Sequence, residues 1–244
     1  MTAAHLTYRM RVAVALAFFA GVLSSASQVL LKERPQPTPG EWSGNGVYLG
    51  YGLGALDRPG EIRTRRIPSP DGNKAILIGN NLLLTVEANG QTLPLESTYL
   101  ATPLSEVLWS PDSSAFAVTQ SNGGWVGSWD IQVFLTDDNT VKRASVTETA
   151  KKDAMGKYKC LIPEKPAANE EPNTGAVHWL DGSSRLLIVA EVPPHSSCAD
   201  MGKLFGYVVS IPSGKIVNRY QEGELRQGWE QLFGERLKKR FQGR

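Results

Sequence analysis

The stretch Trp109-Ser110-Pro111-Asp112-Ser113-Ser114, with Phe116-Ala117-Val118 behind it, decides how the rest of this chain is read. Proline presets φ, aspartate bonds to its own backbone, and serine tolerates a tight bend, so the hexapeptide reads as a turn between two strands. The same plan occurs twice more. Upstream, Ser69-Pro70-Asp71-Gly72-Asn73 precedes Ala75-Ile76-Leu77-Ile78; downstream, Trp179-Leu180-Asp181-Gly182-Ser183-Ser184 precedes Leu186-Leu187-Ile188-Val189. A second hairpin follows each turn. Leu82–Val86 leads to Asn89-Gly90 and then Thr92–Leu95. Ile131–Leu135 leads to Asp137-Asp138-Asn139 and Val141 onward, and Phe205–Ile211 leads to Pro212-Ser213-Gly214 and Lys215–Tyr220. Asn-Gly and Ser-Gly between apolar runs are strong hairpin signals. Each unit therefore reads strand, turn, strand, longer loop, strand, tight turn, strand.

Asp71 and Asp112 stand 41 residues apart, the spacing of a propeller blade, and Asp112 and Asp181 stand 69 apart. The excess falls in residues 144–175, a polar run expected to be a surface excursion between units. On these residues the chain resembles TolB-like and WD-type β-propellers over roughly positions 61–220. The third copy departs from the motif, with Trp-Leu-Asp where the pattern has Trp-Ser-Pro-Asp. The resemblance implies a mainly β fold, a propeller-like array of about three four-stranded antiparallel sheets, and it implies no activity, because propellers host unrelated ones. A β-sandwich or a stacked meander with similar turns fits the same signature. Closed propellers have 4–8 blades. Three units therefore leave edges to be met by an open arc, a partial fourth unit from residues 41–60, or a second copy completing a six-bladed ring.

Beyond the repeats the period changes. Leu225, Trp229, Leu232, Phe233, Leu237 and Phe241 fall at helical spacing, which predicts an amphipathic helix over 222–241 docked on the sheets. Lys238-Lys239-Arg240 allows a membrane-surface or partner helix instead, a reading weakened by Glu224, Glu230 and Glu235.

At the other end, Arg9 and Arg11, the apolar run Val12–Leu23 and the small residues Ser24-Ser25-Ala26 read as a signal peptide cleaved near Ala26. That run is 12 residues, short of the ~20 a spanning helix needs; an uncleaved anchor is the competing reading. The expectation is a periplasmic or secreted protein. Residues 27–46, with Pro35, Pro37, Pro39, Gly40, Gly44 and Gly46, read as a linker before a domain over 47–244, with Val47–Leu56 a candidate strand. Without residues 1–26 the chain has 24 basic and 24 acidic residues. That balance argues against nucleic acid as a partner, since phosphate neutralisation needs a basic face. The two cysteines, Cys160 and Cys198, are expected to pair in an oxidising compartment, worth ~3–5 kcal/mol in the loop-entropy view. A zinc reading, with His195 three residues before Cys198 and Asp200 two after, lacks a second such pair near Cys160.

No motif fixes a reaction, a cofactor or a metal. There is no Gly-x-Ser-x-Gly elbow and no phosphate-cradling glycine loop. His178 and His195 are the histidines left after export, and His178 reads first as a structural strand residue. Asp71, Asp112 and Asp181 read as turn residues rather than paired carboxylates. Trp125 and Trp129 flank a loop tip and are candidates for a contact surface, with core packing the expected fate of one of them. Two function classes follow: a non-enzymatic interaction module with a protein partner or self-association, and a hydrolase or lyase using His178 or His195.

Overall fold

A computed structural model describes residues 40–49, 64–79, 81–95, 98–100, 104–123, 128–160, 170–196 and 198–242. The chain divides into two compact units, Met1–Pro37 and Thr38–Arg244, and all described residues belong to the second. The expected signal peptide lies outside them.

Three antiparallel sheets form where the three turn motifs stand. The first contains β2 (Arg65–Pro68), β3 (Lys74–Ile78), β4 (Leu83–Ala88), β5 (Gln91–Thr92) and β6 (Thr98–Tyr99), in the order β2-β3-β4-β5 with β6 also paired to β4. The middle sheet contains β1 (Val47–Tyr48), β7 (Ser105–Trp109), β8 (Ala115–Ser121), β9 (Trp129–Thr136) and β10 (Val141–Ala144), in the order β1-β7-β8-β9-β10. The third contains β11 (Asn173–Leu180), β12 (Arg185–Glu191), β13 (Leu204–Ser210) and β14 (Ile216–Gln221), in sequence order. Helix α1 (Glu148–Met155) joins the middle and third sheets. After β14 come α2 (Glu222–Trp229), a single 3-10 turn (Glu230–Leu232) and α3 (Glu235–Gln242).

Turn chemistry explains the registers. The Ser69 hydroxyl donates to the Asp71 carboxylate and accepts from the Lys74 N–H, and the Asp71 carboxylate accepts from the Asn73 N–H. Ser110, Asp112, Ser114 and Ala115 repeat this set in the middle sheet. The third turn lacks the serine and proline and bends instead through two left-handed residues, Asp181 (φ 48°) and Gly182 (φ 68°). It is not a residue shorter, as Trp-Leu-Asp suggests. Ser110 bonds Ala115 around residues 111–114, and Leu180 pairs with Arg185 around 181–184. The aspartate has moved within a turn of equal length, so Trp109 and Trp179 keep equivalent rungs, opposite Phe116 and Leu186.

The sheets stack face to face. Side chains alternate across a strand, so Phe116 and Val118 of β8 pack with Ile76 and Val86 of the first sheet. Ala115 and Ala117 pack with Leu186, Ile188 and Tyr207 of the third. The turns touch as well: the Asp71 N–H donates to Ser113 Oγ, and Ser114 Oγ donates to Ser183 Oγ.

Residues 42–48 and the C-terminal helices cover one edge and one face of the sheets. Val47 and Tyr48 pair with Val107 and Glu106 and so cover the inner edge of the middle sheet. The far face of the third sheet is covered by Leu225, Phe233, Leu237 and Phe241, together with Trp42. Helices therefore occupy the face on which a further sheet would stack. Among the described residues there is no fourth sheet.

Three sequence expectations change. The segment 40–46 is not linker. Its Trp42 is fully buried, and Gly40, Glu41, Trp42 and Gly44 exchange backbone hydrogen bonds with residues 232–236. The C-terminal helix is not continuous. Phe233 turns extended and bridges to Ser43, and the Gly234 N–H donates to the Trp42 carbonyl, in a space where a Cβ would collide with residues 40 and 41. Nor is 144–175 all surface excursion, because Ala150, Ala154 and Tyr158 belong to the core between the middle and third sheets. The expected disulfide Cys160–Cys198 is formed and pins the end of this segment to the loop after β12. Thiol labelling of the denatured, unreduced protein should find no free cysteine, and two labelled cysteines per chain would contradict the pairing.

Candidate functional site

The first strand of each unit lies innermost, and the turn ends of these strands meet around a cleft of about 440 Å³. Ile67 and Pro68 come from β2, Val107 and Trp109 from β7, and His178 and Trp179 from β11, while Asn45 and Val47 enter from the N-terminal segment. The repeat builds this site. Trp109 Nε1 donates to the Ile67 carbonyl of the sheet before it (3.3 Å), and Trp179 Nε1 donates to the Leu108 carbonyl of the sheet before it (3.1 Å). Both indoles border the cleft, but Trp179 is buried and Trp109 is only partly covered. Phe116 backs the Trp109 ring at 5.0 Å and stacks in turn on Phe134 at 4.8 Å, so the indole rests on a rigid aromatic support. Iodide should therefore quench a folded variant retaining only Trp109 more than one retaining only Trp179. Equal quenching would mean that Trp109 is as shielded from solvent as Trp179 and contradict this difference in exposure.

Among the described residues that line the cleft none carries a charge, and His178 is the one ionisable group. Burial lowers the His178 pKa below the ordinary histidine value, which keeps the imidazole neutral at neutral pH. The site can thus enclose an uncharged apolar group and offer it one donor and one acceptor from His178. The described lining holds neither a nucleophile nor a carboxylate to work with that imidazole.

The turn aspartates are occupied elsewhere. Hydrogen bonds from Ser69 and Asn73 hold Asp71 at about 2. Burial pushes Asp112 up, but hydrogen bonds from Ser110, Ser114 and Ser183 outweigh it and also leave about 2. Asp181 pairs with Arg185. His195 is exposed on the loop after β12, at the opposite end of the third sheet from His178, so the two histidines do not share a site. Of the two tryptophans proposed as a contact surface, Trp125 lies outside the described residues. Trp129 is buried, edge-on to Trp42 at 6.0 Å, with the Arg236 guanidinium 5.5 Å from its ring centroid.

Two buried carboxylates went unseen in the sequence because each sits inside an apolar strand. Glu191 is fully buried at the end of β12 and is paired with Arg236 (2.5 Å) and Arg240 (2.8 Å) of α3. Glu106 in β7 accepts the backbone N–H groups of Trp42 (2.8 Å) and Ser43 (2.9 Å). Burial is the largest influence on Glu106. It outweighs these donors and, with the nearby Glu41 charge, pushes the group up to about 7. Its folded pKa lies above its unfolded value, so its contribution is fully present below about 4.5 and is lost as pH rises through about 7. Unfolding free energy should fall over that window by about 3 kcal/mol more in the wild type than in Glu106→Gln. A pH slope that the substitution leaves unchanged would mean that the backbone donors keep Glu106 ionised.

No helix among the described residues is long and apolar enough to cross a membrane. No family model, curated protein or solved structure matches this chain.

Proposed function

We propose that this chain is an exported, non-enzymatic interaction module that engages an apolar segment of a protein partner in the cleft between the inner strands. The observation that carries this reading is the chemistry of the cleft lining: among the described residues it is aromatic, proline and aliphatic surface with one neutral imidazole and no nucleophile beside it. Recognition sites for small or extended ligands are mostly apolar with few polar groups. Pro68 lacks the N–H that sheet extension would need at the first sheet's inner edge, so side chains rather than a β-ladder make the contact. The Cys160–Cys198 bridge supports export, because such pairs persist in oxidising compartments. The repeated turn and hairpin plan supports kinship with TolB-like and WD-type binding modules.

Random-peptide display panned on the full chain tests this reading. Enriched peptides should be rich in apolar and aromatic residues and should lose binding to Val47→Trp, which fills the cleft. Turnover of ester, glycoside or peptide substrates that disappears in His178→Ala would establish the hydrolase reading instead.

A further inference from the structure

The disulfide that ties the stretch after α1 to the loop between β12 and β13 has a third ligand-type group beside it. The sulfurs of Cys160 and Cys198 and a carboxylate oxygen of Glu170 all lie within 4.8 Å of one another. Both cysteines are buried and Glu170 is partly buried. The three come from separate pieces of chain. Cys160 follows α1, Cys198 lies in the loop between β12 and β13, and the Glu170 backbone is fixed by its carbonyl, which accepts the Tyr158 hydroxyl at 2.5 Å. Once the sulfur–sulfur bond is broken and the two sulfurs move apart, two thiolates and one carboxylate form the donor set of a borderline divalent cation, three protein ligands with a fourth position left to water. The sequence hides this arrangement, since Glu170 is ten residues from Cys160 and makes no recognisable spacing with Cys198.

We propose that the reduced protein binds one zinc-type divalent ion through Cys160, Cys198 and Glu170, and that the disulfide and the metal are mutually exclusive occupants of one site. A phosphine reductant makes the chemistry explicit. The phosphine takes oxygen from water and becomes its oxide, the sulfur–sulfur bond breaks, and two thiols form. Metal binding then releases the two thiol protons, so affinity rises with pH. The proposal stands apart from the cleft, which it does not involve.

The test uses the full chain, reduced with phosphine, freed of it without air, and titrated with Co²⁺ as the probe. One equivalent should produce thiolate-to-cobalt charge-transfer absorption, which Zn²⁺ then removes. The oxidised protein should give none, and Cys160→Ser or Cys198→Ser should lose it. Glu170→Ala should weaken binding by at least about 10-fold, the low end of what losing even an outer-shell partner does. A reduced, folded wild type without the absorption overturns the proposal, and so does Glu170→Ala binding as tightly as wild type. If reduction unfolds the chain, Zn²⁺ should restore the far-ultraviolet dichroism of wild type but not of Cys160→Ser; failure to restore it overturns the proposal equally.

Discussion

Trp42→Ala is expected to lower stability by about 3–5 kcal/mol, the cost of emptying a fully buried indole site. Trp42 lies over Gly175, where a Cβ would fall inside the indole, and the Arg236 guanidinium stands 5.2 Å from its ring centroid. Its own N–H is buried with no hydrogen-bond partner, so truncation strands no acceptor and the loss is one of packing. The segment that carries Trp42 also joins β7 to α3: Glu106 accepts its backbone donors on one side, and residues 232–236 bond to it on the other. Loosening it should therefore unseat the C-terminal helices as well. Urea titration of wild type and variant measures this. A loss below roughly 0.5 kcal/mol, the size usual for surface positions, would return residues 40–46 to the role of a linker.

Glu191→Ala should cost about 2–3 kcal/mol, for a different reason: it leaves two arginines without their buried counter-charge, though Arg236 and Arg240 keep 21% and 33% of their side-chain surface in water. Arg236 and Arg240 both reach Glu191 from α3, and the Asn173 side chain adds a longer hydrogen bond of 3.4 Å. Replacing all three charges with apolar residues of similar size should restore most of the loss, since a buried ion group is often no more stable than its apolar equivalent. Chemical denaturation of the single and triple variants separates the two effects. A triple variant as unstable as Glu191→Ala would mean that the charges orient α3 in a way apolar contacts cannot.

Local chemistry made the repeats legible. The Ser-Pro-Asp turns, through side-chain-to-backbone bonds that span only a few residues, and the Asn-Gly hairpin, through left-handed Asn89 and Gly90, set the hairpins of each unit locally. Trp109 and Trp179 were recognisable for the same reason. The features that were missed depend on contacts distant in sequence. Residues 40–46 look like linker by their glycines, yet those glycines let the chain wrap a carboxylate from β7. Ala150 and Ala154 are small residues in a polar run, and only the facing sheets show that α1 is buried. The stripe from Leu225 to Phe241 gave the apolar face of the C-terminal helices, but the break at Gly234 is imposed by residues 40–43 crossing it. Trp229, expected to anchor that stripe, is only half-covered, resting against Tyr220 at 5.9 Å, and Leu225 and Leu237 take its place in the core. In the cleft, His178 and Trp109 drew attention as single residues, while Asn45 and Val47 gave no signal. They reach the site only because β1 pairs with β7.

Hydrogen–deuterium exchange of the full chain, with and without a peptide selected by display, tests the cleft most directly. Protection on binding should be confined to residues 45–47, 66–70, 107–111 and 178–179, the walls of the cleft and the turns beside it. Protection concentrated instead on α2 and α3, with the cleft segments unchanged, would contradict the account and make the C-terminal helices the contact surface.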